Sequence, residues 1–325
     1  MTRRRVLVLA HTGRPEARAI ARAFLEGLPQ HGVGVRLLAE EAAALGALPA
    51  AADLVEVVAD DDPAPGRGCE LAVVIGGDGS ILRAVELTRA TATPVLGVNL
   101  GHVGFLAEAE PEDVDDTLDA IVARRYAVHE RLTLDVRVVV DGATVAQTFA
   151  LNEVSVEKAA RERMLEVVVE IDDRPLSRWG CDGVVCATPT GSTAYNFSAG
   201  GPVVWPQVEA LCVVPLSAHA LFARPMVVAP SSTVAIEVLA RTEGAGVMWA
   251  DGRRTVDLAP GARIEVRRGA QPVHLARLHD APFTDRLVAK FGLPVEGWRG
   301  RGERRLPSLA APPDVPPEVP QEESL

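Results

Sequence analysis

Gly76-Gly77-Asp78-Gly79-Ser80 directly follows the apolar run Leu71–Ile75. Two glycines behind a buried strand permit a tight turn and let backbone N–H groups approach phosphate oxygens. A helix that follows adds its positive end. Asp78 would then stand beside bound phosphate, able to accept a hydroxyl proton or to orient Mg²⁺. The same five residues also fit an Asp–Gly turn that caps a helix. Neither a GxxxxGK motif with its Ser or Thr nor a GxGxxG motif occurs, which excludes a P-loop and disfavours an ordinary Rossmann dehydrogenase.

Asn152-Glu153 follows the apolar Phe149-Ala150-Leu151. An adjacent amide and carboxylate can grip a ribose or a base edge; they also fit a polar pair where a strand ends. The densest segment is DGVVCATPTGSTAYNFSAGGP, from Asp182 to Pro202. Its hydroxyls, exposed N–H groups and one aromatic, Tyr195, suit a nucleotide. Ser192 or Thr193 also fits a helix N-cap. His219 has no Ser/Asp spacing or G-x-S-x-G elbow beside it and reads as a loop or packing residue. His102 lies among glycines, where it fits either a cleft lining or a hydrogen-bonded structural role. Asp251-Gly252 reads as a hairpin turn.

These segments sit in two kinds of surroundings. Val6–Ala10, Val33–Leu38, Leu71–Ile75 and Pro94–Val98 read as buried strands. Between the first two, Ala17, Ile20, Ala21, Phe24, Leu25 and Leu28 recur at helical spacing. A helix is also expected from the GGDGS segment to about Arg89, and another over Pro111–Arg125. Strand, glycine turn, helix is the rhythm of an α/β domain with a mostly parallel sheet, assigned to 1–127. Residues 128–276 instead read as short alternating strands of an all-β, sandwich-like domain. Examples are Thr133–Val140, Thr144–Thr148, Met164–Ile171, Val234–Leu239 and Arg263–Arg267. A short helix is expected near Ser192–Ser198. Residues 277–300, with a helix over Pro282–Phe291, form a segment returning toward the first domain. Residues 301–325 are Arg-, Pro- and Glu-rich and read as a disordered acidic tail.

Composition bounds the partners. The chain has 325 residues, 48% hydrophobic and 24% charged, with a formal net charge of −11. That is enough for about two domains and a substantial core. An acidic balance disfavours general nucleic-acid binding, and an aromatic share of 4% disfavours stacking platforms. No run is long enough for a membrane span or a secretion signal. The four cysteines form no CxxC and the seven histidines no HxxxH pair. A cytoplasmic protein with reduced thiols and no structural zinc is expected.

The three motifs in this order resemble the NAD kinase family, in its bacterial, actinobacterial form. GGDGS is similar to that family's GGDG-Thr/Ser motif, LNEVSVEK carries its Asn-Glu motif, and CDGVVCATPTGSTAYNFSAGGP is a near-complete match to its most distinctive stretch. NLGHVGFL and ARLHDAPFTDRLVAKF match further segments, and the likeness covers roughly residues 4 to 300. The resemblance implies an NAD kinase-like fold and Mg²⁺-dependent (or other divalent-cation-dependent) phosphorylation of the adenosine-ribose 2′-hydroxyl of NAD. Asp78 takes the position of the proton acceptor, with Gly79 and Arg83 also at the nucleotide. Asn152 and Glu153 would contact the ribose and adenine, and Arg163 falls on another basic contact position. Asp182 with Thr193, Ala194, Tyr195, Asn196, Phe197 and Ser198 would line the dinucleotide cleft. The donor would be ATP or inorganic polyphosphate, since Gly180 matches relatives that accept polyphosphate. A homodimer or homotetramer is implied, with a neighbour's β domain helping to build the site. Ser80 keeps the hydroxyl of the commoner Thr, whereas Arg253 replaces a frequent Gln. A lipid or sugar kinase sharing GGDG, or a non-catalytic NAD/NADP-binding regulator, remains the alternative.

Overall fold

The computed structural model describes residues 4–46, 52–100, 104–107, 114–160, 164–240, 245–279 and 282–295. The chain begins as alternating strands and helices: β1 (Arg5–Ala10), α1 (Pro15–Gln30), β2 (Gly34–Leu38), α2 (Ala39–Leu45), β3 (Val55–Val58), β4 (Leu71–Ile75), α3 (Asp78–Thr88), β5 (Val95–Val98), α4 (Val114–Val122) and β6 (Ala127–Arg131). Then come β7 (Leu134–Val140), β8 (Ala143–Ala150), β9 (Glu153–Lys158), β10 (Leu165–Ile171), β11 (Arg174–Cys181) and β12 (Gly183–Ala187). The remaining elements are α5 (Tyr195–Ser198), β13 (Leu211–Leu216), β14 (Met226–Val228), β15 (Val234–Val238), β16 (Gly246–Ala250), β17 (Arg254–Leu258), β18 (Arg263–Arg268), β19 (Val273–Arg277) and α6 (Phe283–Phe291).

The first sheet has the order β3-β2-β1-β4-β5-β19-β6. From β3 to β19 the pairs are parallel, and only β19 with β6 is antiparallel. β1 shows why its strands are apolar at every position. Val6 and Val8 pack with Ala17, Phe24 and Leu28 of α1 on one face. Leu7 and Leu9 pack with Ile81, Leu82 and Val85 of α3 on the other. A parallel sheet covered on both faces has no solvent side to mark with polar residues. The six apolar residues expected on α1 are all buried there.

The second body is a sandwich of two six-stranded sheets, β11-β10-β15-β18-β7-β8 and β14-β13-β12-β9-β16-β17. Their inner faces share one core, in which Val136, Val167 and Ile236 meet Val156, Val184 and Met248 around the fully buried Trp179. Outward residues alternate along β7 and β10, as an antiparallel strand with one wet face requires.

Two crossings join the bodies and place the site. β19 leaves the sandwich and enters the first sheet beside β5, pairing Leu275 with Val95. Sheet membership thus crosses the expected boundaries at 127/128 and 276/277. Leu151, between β8 and β9, is fully buried in the cluster that holds Ile81 and Leu82 under α3. That burial ties the Asn152-Glu153 connection to the helix that begins at Asp78. The expected tail, 301–325, and the start of the Pro111–Arg125 helix lie outside the described residues.

Candidate active site

The carboxyl ends of β1 and β4 lie side by side, with Ala10 paired to Ile75. In open α/β sheets ligands bind beyond such strand ends. Here Gly77, Gly79, Ser80 and Arg83 share a cavity of about 480 Å³ with His11, Thr12, Gly13 and Arg14. Gly77 is the extended residue before α3, and a Cβ on Gly77 or Gly79 would point into open space. The backbone at these two positions is therefore open to an incoming group. Ser80 and Ile81 donate their N–H groups to the Gly77 carbonyl, so the first turn of α3 offers the N–H groups of Asp78 and Gly79 and the positive end of the helix, the local arrangement expected to receive phosphate.

Asp78 opens α3 but turns its carboxylate sideways. Phe105 donates its backbone N–H to Asp78 Oδ2 at 3.2 Å, and Leu106 donates to Oδ1 at 3.1 Å. Gly104 makes room for it: a Cβ there would lie 2.5 Å from Asp78 Oδ1. The half-buried carboxylate is thus held by fixed backbone dipoles.

Arg83 borders the cavity, yet its guanidinium donates to Glu41 Oε1 at 2.6 Å and also bonds Glu40. The cause is Glu41, which is fully buried. Burial pushes its carboxyl above the usual range, against the opposing pull of Arg83. Arg253 also borders the cavity and pairs with Glu86 of α3 at 3.1 Å.

The second constellation lies where three distant segments meet. Asp251, in the turn between β16 and β17, accepts the N–H of Leu151 at 3.0 Å and of Asn152 at 2.7 Å. Its own N–H donates to the Glu153 carbonyl. Thr188 donates its N–H to Asn152 O and its hydroxyl to Leu151 O. A Cβ on Gly191 would collide with the Asn152 carbonyl. Asp251 therefore does more than make the expected hairpin turn: its buried side chain shapes the Asn152-Glu153 loop.

Glu153 and Tyr195 line one cavity of about 320 Å³ with Ser155, Glu157, Trp249 and Gly252. Glu153 is 8% exposed, and its Oε2 has no hydrogen-bond partner among the described residues. Burial, and secondarily the neighbouring Asp251, raises its carboxyl to about 8, although the Tyr195 N–H opposes the shift. Burial thus favours the protonated carboxyl, which can donate as well as accept.

The remaining expected residues divide. Phe197 and Ser198 are exposed, and Thr193 and Ala194 are partly so. Asn196 is fully buried, and its amide donates to the Ser192 and Pro202 carbonyls inside the turn. Ser192 pins the same turn to Val204 rather than capping α5. Asp182 accepts from Lys158 Nζ at 2.5 Å, which holds its carboxyl below the usual range. It does not line the cavity of Glu153 and Tyr195. His219 is an exposed loop residue whose backbone N–H donates to the Gly180 carbonyl. Arg163 and His102 lie outside the described residues. Sequence reasoning missed His11–Arg14 and Trp249 as cavity residues. The former had a signal, a polar turn at the end of a buried parallel strand; Trp249 had none.

Comparison with known proteins agrees with this geometry. Residues 6–126 match the family description "ATP-NAD kinase N-terminal domain", and residues 151–278 match "ATP-NAD kinase C-terminal domain". The chain is 60% identical over 308 residues to an NAD kinase of Thermobifida fusca, covering 94% of each chain. It is also 60% identical over 297 residues to an NAD kinase 2 of Streptomyces avermitilis, covering 91% of this chain and 97% of that one. Among solved structures, the fold is similar to yeast NADH kinase complexed with NADH, with a TM-score of 0.81 and 23% identity over 91% of this chain and 90% of that one. It is also similar to an Archaeoglobus fulgidus NAD kinase in complex with ATP, with a TM-score of 0.65 and 24% identity over 90% of this chain and all of the other. Two matched domains in the expected order, and relatives at this identity along nearly the whole chain, show that the chain belongs to the ATP-NAD kinase family of phosphotransferases.

Proposed function

We propose that the chain transfers the γ-phosphoryl group of ATP to the adenosine-ribose 2′-hydroxyl of NAD, with Asp78 as the proton acceptor. The observation that carries this reading is the Asp78 carboxylate, clamped by two N–H groups at the start of a helix whose glycines face an open cavity. Phosphoryl transfer needs placement more than covalent chemistry: the acceptor oxygen must stand in line with the γ-phosphorus. Gly77, Gly79 and Ser80 suit the donor phosphates. Asn152, Glu153, Tyr195 and Trp249 suit the adenosine end of NAD, where a protonated Glu153 can donate to a ribose or adenine acceptor. Asp78 accepts the hydroxyl proton as that oxygen bonds to phosphorus, so it needs no unusual basicity beforehand.

The oxygens of Glu40, Glu41 and Asp60 lie within 4.8 Å of one another, but Arg83 already bonds two of these carboxylates and repels a metal. Both oxygens of Asp78 already accept backbone N–H groups, so Mg²⁺ at the start of α3 would be held chiefly by waters and phosphate oxygens, with Asp78 and Ser80 as the hard oxygen donors this chain offers there. When bound, Mg²⁺ neutralises triphosphate charge.

The wider reading includes inorganic polyphosphate as a second donor, on the match at Gly180, and a cytoplasmic location. Among the described residues no helix is long and apolar enough to cross a membrane. It also includes a homodimer or homotetramer. Leu221 and Phe222, after β13, are exposed apolar side chains of the kind a second copy would cover.

The test is purified protein with NAD, Mg²⁺ and ATP, coupled to an enzyme that responds only to NADP, with polyphosphate in a parallel reaction. NADP is expected from wild type and is expected to be lost in Asp78→Asn. A folded protein that binds NAD yet forms no NADP from either donor would overturn the kinase reading.

A further inference from the structure

Helix α6 is a poor contributor to the core. Of its nine residues only Leu287 is buried. Yet its remaining inward side chains all reach functional loops. Phe291 stacks on Phe197 of α5 with ring centroids 4.5 Å apart, and lies 5.8 Å from Phe105. Phe283 contacts Phe105 at 6.1 Å and meets the edge of Trp205 at 5.2 Å. Arg286 Nη1 donates to the carbonyl of Phe105 at 3.1 Å and to that of Ala107 at 3.3 Å.

The 105–107 strip is the one whose N–H groups hold Asp78. Arg286 therefore grips the carbonyl side of a strip that presents its amide side to the proposed base. A guanidinium is a planar, permanently charged fork, and charge-assisted bonds to carbonyls are stronger than neutral ones. The Phe105 carbonyl and the Leu106 N–H belong to one peptide plane, so pinning that carbonyl aims that N–H at Asp78 Oδ1, while the bond to Ala107 holds the far end of the strip. The stack of Phe291 on Phe197 joins the same helix to the segment expected along the dinucleotide.

We propose that Arg286 is a positioning residue for phosphoryl transfer, acting through residues 105–107 on the Asp78 carboxylate. Phe291 makes α6 a strap that sets this carboxylate and α5 relative to one another. This inference rests on Asp78 as the acceptor. It assigns α6 a part in kcat rather than in substrate affinity or global stability.

The test is a double-mutant cycle of Arg286→Ala and Asp78→Asn, assayed for NADP formation with KM for NAD and ATP measured separately. Arg286→Ala alone is expected to lower kcat about ten- to thirtyfold with each KM within about threefold, as a misplaced catalytic group does. In the Asp78→Asn background it is expected to change the residual rate less than twofold. Arg286→Lys is expected to recover part of kcat, because an ammonium can still donate to both carbonyls. Hydrogen exchange is expected to speed at the Phe105 and Leu106 amides and not in the sandwich core. Phe291→Leu, which keeps an apolar side chain on α6, is expected to lower kcat about three- to tenfold and serves if Arg286→Ala does not fold. An equal loss from Arg286→Ala in both backgrounds, or a fall in kcat/KM carried by KM, would overturn the inference while leaving Asp78 as the base. Full activity in Asp78→Asn would instead overturn the reading on which it rests.

Discussion

The two cavities are built in opposite ways. The one at the start of α3 is framed mainly by loops at strand ends of the first sheet, 11–14 and 76–80, with Arg253 reaching in from the β16–β17 turn. The one at Glu153 uses side chains brought in by β9, β16 and α5, stabilised by hydrogen bonds from the β16–β17 turn that span about a hundred residues of chain. A site of the first kind is fixed once a glycine turn follows a buried strand. A site of the second kind exists only after a sandwich has closed, and a buried carboxylate must then satisfy the amides that the closure leaves inside. Tolerance should differ accordingly: the first is lost by disturbing one carboxylate, the second by releasing a loop.

The largest expected effect breaks the first site alone. Asp78→Asn should reduce kcat about 10²–10⁴-fold, measured with saturating NAD and ATP, with little change in thermal midpoint. A variant within threefold of wild type would remove Asp78 from the chemistry.

Asp251→Ala attacks the second site through its scaffold. It leaves the N–H groups of Leu151 and Asn152 without their acceptor in buried surroundings. The expected loss is about 2–5 kcal/mol in urea unfolding, together with weakened NAD binding. A loss under about 0.5 kcal/mol would mean that the loop does not depend on this carboxylate.

Gly104→Ala sharpens the comparison, because its φ is not left-handed and only space is at issue. The added Cβ would press on Asp78 Oδ1, so kcat should fall about ten- to a hundredfold. If KM for ATP rose and kcat held, Gly104 would belong to substrate binding.

The smallest effect is a pH dependence. Burial raises the Glu153 carboxyl to about 8 in the folded chain, above the 4.5 usual for a glutamate. Between those values the folded state holds a proton that the unfolded state has released. The stability this provides is complete below about pH 4.5 and lost as pH rises through 8. The ligand-free thermal midpoint should therefore fall from pH 5 to pH 8.5 more steeply in wild type than in Glu153→Gln. Parallel curves would show that burial does not shift this carboxyl.

Legibility followed the same division. α1 and the alternating strands of the sandwich were readable because burial on one face imposes a short period, and β1, β2, β4 and β5 because burial on both faces leaves an unbroken apolar run. β3, α2 and the entry of β19 into the first sheet were not. β3 is only partly buried, and nothing local distinguishes a strand that pairs across the domain boundary. The cradle glycines were readable from five consecutive residues. Trp249, and the part Asp251 plays beyond its turn, were not, since their significance depends on partners nearly a hundred residues away.

The sequence by itself determined the class of fold and the glycine turn at 76–80, because burial and turn geometry leave their mark on neighbouring residues, and it indicated the family through the resemblance of three motifs. Tertiary structure alone decided where charge and protons reside. It bound Arg83 to Glu41, clamped Asp78 from the 105–107 strip and raised Glu153 by burying it beside Asp251. Desolvation and pairing depend on which groups the folded chain encloses together, and no local pattern of residues contains that information.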